Sequence, residues 1–224
     1  MGLPMYFDDH NYNRYTNLDG AEWRIINALV TNESKYGVYL WKLLKYNTPD
    51  CLMNDKLDNK EKYKMVYRDD GEASKYKVFM IPFIDDGWTE QTSRIDVYVS
   101  RISPTNYVSS KVDITIEIIV HNKINNIYGD ADIEENPLTN PTEIDEDENI
   151  LIPSKSRATT MLKCIISLLN GVCIDGVGTL QLNEELSPYC GVRSYVWNNR
   201  SYFGYSITFS TVMGQVSDNP NFGW

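Results

Sequence analysis

The clearest signal in the chain is a period-two alternation running from Val112 to Val120. Val112, Ile114, Ile116, Ile118 and Val120 lie on one side of an extended segment, and Asp113, Thr115, Glu117 and His121 on the other. This predicts a half-buried strand with a wet polar face. The segment Ile95–Ile102 alternates Ile95, Val97 and Val99 against Asp96, Tyr98 and Ser100. In Gly204–Val212, Tyr205, Ile207, Phe209 and Thr211 alternate with Ser206, Thr208 and Ser210. The run Tyr76–Phe83 is rich in β-formers but carries Pro82, which favours an edge or a bulge. Shorter strands are predicted near Thr179–Leu182 and Tyr195–Trp197.

Elsewhere the apolar positions recur at three and four residues. Asp19 is placed to cap a helix beginning near Gly20, with Trp23, Ile26, Ala28, Leu29 and Val30 on its apolar side. A second helix spans about Ser34 to Tyr46, with Val38, Leu40, Trp41, Leu43 and Leu44 inward, and Pro49 ends it. Residues 54–75 read as a charged loop with one helical turn. Ser156 is an N-cap for a helix from Arg157 through Leu169, whose core stripe is Met161, Leu162, Ile165, Leu168 and Leu169. Asn170-Gly171 stops it. Trp23, Trp41 and Cys164 are expected in the core. Long βαβ alternation is missing, so the fold class is α+β. The expectation is an antiparallel or mixed sheet of four to five strands packed against two to three helices. The strand Val112–Val120 should face the helix Arg157–Leu169 across one core.

Three stretches show no period. Residues 1–17 form a polar and aromatic arm holding Tyr6, Phe7, Tyr12 and Tyr15, and residues 214–224 form a tail ending Phe222-Gly223-Trp224. Between them a single domain covers 18–213, interrupted by an insert at 125–153 that Pro137, Pro141 and Pro153 break. Large aromatics outside periodic elements often belong to interfaces. Tyr6, Phe7, Trp88, Trp197, Phe222 and Trp224 are therefore candidate subunit-interface residues, the alternative being that each covers a local apolar patch.

The chain has 224 residues, 42% of them hydrophobic and 23% charged. That length supports one hydrophobic core without disulfides or metal, and no apolar run approaches the roughly 18 residues of a membrane span. No secretory leader pattern is visible. Cys51, Cys164, Cys173 and Cys190 make no CxxC pair, which fits synthesis in a reducing cytoplasm. The net charge is −10, whereas general nucleic-acid binders are normally basic. The charge is concentrated. No Lys or Arg occurs between Lys123 and Lys155, where Asp130, Asp132, Glu134, Glu135, Glu143, Asp145, Glu146, Asp147 and Glu148 stand. This insert reads as a solvated or lumen-facing acidic loop. A cation site is the alternative, although Asp130-Ala-Asp-Ile-Glu-Glu lacks the Gly and the terminal Glu of a calcium loop.

Catalytic chemistry finds little footing. Histidine is limited to His10 and His121. No nucleophile elbow, zinc-protease helix, P-loop or dinucleotide fingerprint occurs. Asp85, Asp86, Asp96, Asp113 and Glu117 surround the predicted strands and admit a metal-dependent phosphoesterase. They equally suit the wet face of a sheet. Neither a cofactor nor a metal is called for.

The order of elements carries a resemblance. A helix comes first, then Val78-Phe-Met-Ile-Pro-Phe-Ile-Asp-Asp, Thr89-Glu-Gln-Thr-Ser-Arg-Ile-Asp-Val-Tyr, the strand Val112–His121, the helix led by Arg157, and a last strand into Thr211-Val212-Met213. Across residues 20–213 this pattern resembles the head–tail joining and tail-terminator proteins of tailed bacteriophages. The resemblance implies a structural virion subunit in the neck or tail, a homo-oligomeric ring of six- or twelve-fold order. Its partners would be neighbouring neck, portal or tail proteins, with genomic DNA only in passage and no membrane. It implies no catalytic residue. The other readings are an outward-facing partner-binding or adhesion module of the virion, and the phosphoesterase.

Overall fold

In the computed structural model, residues 18, 20–68, 73–82, 90–105, 109–127, 155–196 and 200–214 are described. Helix α1, Ala21–Thr31, buries Ala21, Ile25, Ile26, Leu29 and Val30 along one stripe. Trp23 lies about 200° around the helix from Ile25. It is therefore 42% exposed and stacks on Tyr63, with ring centroids 5.9 Å apart; it is not a core residue. The cap differs from expectation too. Gly20 occupies the N-cap with φ 75°, a left-handed conformation that glycine adopts without a Cβ penalty. Asp19 is outside the described residues.

Helix α2, Lys35–Lys45, starts where Ser34 Oγ accepts from Gly37 N and buries Leu40, Trp41, Leu43 and Leu44. Trp41 Nε1 donates to Leu29 O at 2.9 Å, fixing α2 against α1. Helix α3, Asn59–Lys64, is opened by a capping box between Asp58 and Glu61. Helix α4, Arg157–Leu169, is capped by Ser156, whose side chain accepts from Thr159 N. Its inward stripe includes Met161, Cys164, Ile165, Leu168 and Leu169.

One five-stranded mixed sheet organises the domain, in the order β1-β2-β3-β9-β8. Its strands are β1 (Val78–Phe79), β2 (Ser93–Pro104), β3 (Ser109–His121), β8 (Gly191–Val196) and β9 (Tyr202–Gly214). Only the β1–β2 pair is parallel. β1 is far shorter than the run Tyr76–Phe83 predicted; the chain bends after Phe79, where Met80 and Ile81 are exposed. β8 begins four residues before Tyr195. Two small hairpins complete the set: β4 (Asn126–Ile127) with β5 (Lys155–Ser156), and β6 (Cys173–Ile174) with β7 (Gly178–Thr179). The first closes the stem of the acidic insert.

The core is on one face of the sheet. Ile116 lies between Val97 and Ile207 in register, and Ile114 between Val99 and Phe209. These side chains pack with α1, α2 and α4 in one continuous cluster. At about 0.8 kcal/mol per buried CH₂, this is the main stabilising term. The opposite face is not wet, as its sequence suggested. Asp96, Asp113, Thr115 and His121 are all under 8% exposed.

Candidate functional site

The second face becomes a site through one irregularity in β2. Along Ile95, Val97 and Val99 alternate residues point to the core. A β-bulge between Val99 and Arg101 inserts Ser100, so Arg101 pairs with Asp113 and Ile102 with Val112. Were Ser100 regularly paired opposite Asp113 instead of bulged, Arg101 would fall opposite Val112 and continue the core-facing series. The bulge is held by hydrogen bonds. Ser100 Oγ donates to Asp113 O at 3.1 Å, Thr115 Oγ1 donates to Ser100 Oγ at 2.9 Å, and Thr115 Oγ1 and Thr208 Oγ1 are 3.0 Å apart. Hydroxyls thus link β2, β3 and β9.

Asp113 clamps the segment before β8 onto this face. One carboxylate oxygen accepts from Ser187 Oγ at 2.8 Å and the other from Ser210 Oγ at 2.6 Å. The segment is tied elsewhere by a Gln181–Ser210 bridge. Cys190 Sγ accepts from Asn183 N and donates to Gln181 O, both at 3.1 Å. Tyr189, 52% exposed, has the Arg101 guanidinium carbon 4.4 Å from its ring centroid, a cation–π contact that holds the long side chain. Between β2, β3 and this segment opens a groove of ≈ 220 Å³, with Arg101, Lys111 and Ser103 along one wall and Leu186, Ser187 and Pro188 along the other. Two cations face it and the lone lining acid, Asp113, has both oxygens engaged. Such a groove suits an acidic segment and offers no nucleophile–base pair.

The carboxylates weighed for phosphoester chemistry are separated by their partners. Asp96 stands opposite Glu117 across β2 and β3. Its Oδ1, however, accepts from Arg94 Nε at 2.8 Å and forms an ion pair with Arg94 Nη2 at 2.7 Å. The Arg94 guanidinium lies 3.8 Å from the Phe79 ring centroid. Asp96 Oδ2 is buried without a hydrogen-bond partner. Burial pushes the Asp96 carboxyl up to about 7, outweighing the pull of Arg94 in the other direction. Glu117 accepts from the Tyr98 hydroxyl at 3.0 Å. His121 is buried rather than a surface residue. Burial and then Lys123 lower its pKa, consistent with its neutral Nδ1 accepting from Lys123 N at 3.1 Å. Burial also raises the Cys51 thiol. Among the described residues, no three of His, Cys, Asp and Glu gather into a metal-holding group, and no helix is long and apolar enough to cross a membrane.

Tyr6, Phe7, Trp88, Trp197, Phe222, Trp224, His10, Asp85, Asp86 and the nine acids of the insert are outside the described residues. The groove residues Arg101 and Lys111 were not singled out from sequence. One signal was present: the apolar phase of β2 slips by one between Val99 and Ile102, which is what a bulge looks like in a sequence.

A family model described as YomW matches residues 38–211, well over half of the chain, and YomW is a phage-region protein of Bacillus. The matched span runs from within α2 to Thr211 in β9 and includes the whole groove. The match associates this chain with phage. No curated protein and no solved structure matches it.

Proposed function

The chain belongs to the YomW family, and from that premise we propose that it is a structural subunit of a tailed phage particle, working by assembly rather than by turnover. It is synthesised in the bacterial cytoplasm and built into a ring of the neck or tail through which the genome passes. Neighbouring copies, together with portal, neck or tail proteins, are its partners. The observation that carries this reading is the use the fold makes of its polar side chains. Asp113 clamps a segment, Asp96 pairs with Arg94, Glu117 takes a tyrosine hydroxyl and His121 accepts from its own turn. What the described surface offers outward is a groove and open lengths of sheet edge, the outer side of β8 among them. On one side β1, itself bordered by the Val66–Val78 bridge, covers β2 only at Ile95 and Asp96, and on the other β8 pairs only with β9 among the described residues and exposes Val192. Open edges are assembly surfaces unless blunted.

The test is made on particles. Purified phage should contain the chain by mass spectrometry, and gold-labelled antibody should mark the junction of head and tail. Label confined to the distal tail would favour the outward-facing module. A protein missing from complete particles would overturn the structural reading.

A further inference from the structure

We infer that the groove between Arg101, Lys111 and the Leu186–Pro188 wall receives the acidic insert of a second copy of this chain, joining subunits head to tail. This rests on the assembly reading above and names the contact that would produce it. Three observations lead there. First, the groove is built rather than incidental. The Ser100 bulge turns Arg101 out of the core series, Tyr189 holds its guanidinium, and Asp113 fixes the opposite wall through Ser187. Glu184 and Glu185 stand in the turn before Leu186 and do not line it.

Second, the charges complement. In a chain of net charge −10, the groove presents Lys111 and Arg101, while Glu143, Asp145, Glu146, Asp147 and Glu148 fall within six consecutive residues without a basic neighbour. Single exposed pairs are weak, but several acting together set register and partner choice.

Third, the groove and the stem of the insert belong to opposite ends of β3. The groove lies at the Lys111–Asp113 end of β3. The insert leaves from β4 and returns through β5, beyond His121 at the other end. Ten residue steps of strand lead from Lys111 to His121, roughly 30 Å at about 3.3 Å each. A groove and an insert stem at opposite ends of one strand suit a heterologous contact between copies, which closes into a ring or continues as a tube.

The experiment uses the full chain and charge reversal. Oligomer mass is followed by light scattering across a concentration series at low and high salt. Arg101→Glu with Lys111→Glu should weaken association by about tenfold or more, because like charges then face each other. Reversing Asp145→Lys, Glu146→Lys and Asp147→Lys should weaken it similarly, and combining the two sets should restore it. Lys111→Gln, the milder change, keeps the test alive if the double reversal fails to fold. Wild-type assembly that both reversals leave intact overturns this contact while leaving the assembly reading standing. Loss by each set without rescue in the combination also overturns it, since the two surfaces then do not meet. A chain that is monomeric under all conditions removes both, and particle labelling then decides whether the protein is a virion component at all.

Discussion

Two buried cations close the C-terminal ends of the first two helices. Lys62 Nζ, in a side chain with no exposure, donates to Val30 O at 2.8 Å and to Asn59 Oδ1 at 3.1 Å, with Glu33 3.6 Å away. Arg157 donates to Leu43 O and Tyr46 O at 2.6 Å, to Ile124 O at 2.8 Å and to Thr48 O at 2.9 Å. Terminal helix carbonyls lack partners within their own helix and carry partial negative charge, so they satisfy the Arg157 guanidinium here. Arg157→Met should cost on the order of 3 kcal/mol or more, since several buried acceptors lose their donor. Arg157→Lys should recover less than half, lacking the planar fork. A urea midpoint shift worth under about 1 kcal/mol for Arg157→Met would contradict this role. Asp96 gives a second prediction at this scale. Its carboxyl titrates at about 7 in the native state and near 4 when unfolded. Between those values the native state binds more protons, so this group's contribution is complete below about pH 4 and lost as the pH rises through 7. Asp96→Asn should flatten that decline in urea midpoints measured from about pH 5 to about pH 8. An unchanged slope would show that Asp96 is ionised throughout.

The elements differ in how plainly the sequence announces them. β3 was legible because its alternation reports a local backbone property and a single buried face; Ile116 has no exposure, and Ile116→Ala should cost about 2–5 kcal/mol. α2 and α4 were legible with their serine caps. What alternation cannot report is the neighbour on the polar face. Asp113 and Thr115 look solvent-facing in the strand, yet both are buried: Ser187, some seventy residues later in the chain, is bound to Asp113, and the hydroxyls of Ser100 and Thr208 meet Thr115. Trp23 was misplaced because a hydrophobic residue beside a stripe is indistinguishable from one in it until the Tyr63 ring is known to be there. The groove needed a phase slip in β2 and a clamp at Ser187, one readable locally and one not. Deleting Ser100 tests the bulge. It removes the extra residue and leaves Arg101 opposite Asp113 in regular register, while the hydroxyl that joins Asp113 O to Thr115 is lost. The deletion should lower the melting temperature by several degrees or more, and chemical shifts of Tyr189 should move as the local bend that aims Arg101 relaxes. An unperturbed Tyr189 would show that the bulge does not position Arg101.

At the scale of the molecule, the domain is directional. The β8 edge is open among the described residues, and the cationic groove and the β4–β5 stem of the acidic insert sit at opposite ends of β3. Val192→Lys places a charge on the exposed edge strand, where Val192 is 41% exposed. The monomer's melting temperature should be unchanged while association weakens, as for natural edges that carry lysine. An oligomer indifferent to that change would exclude β8 from the interface. Directional surfaces favour rings over two-fold dimers, because an isologous contact uses one patch twice and then stops. The measurement that bears most directly on the account is therefore electron microscopy of the purified full chain, imaged at low salt. Closed rings of constant subunit number, with the β8 edge and the groove both turned toward neighbouring copies, are the predicted result. A population of monomers or two-fold dimers at every concentration would contradict it.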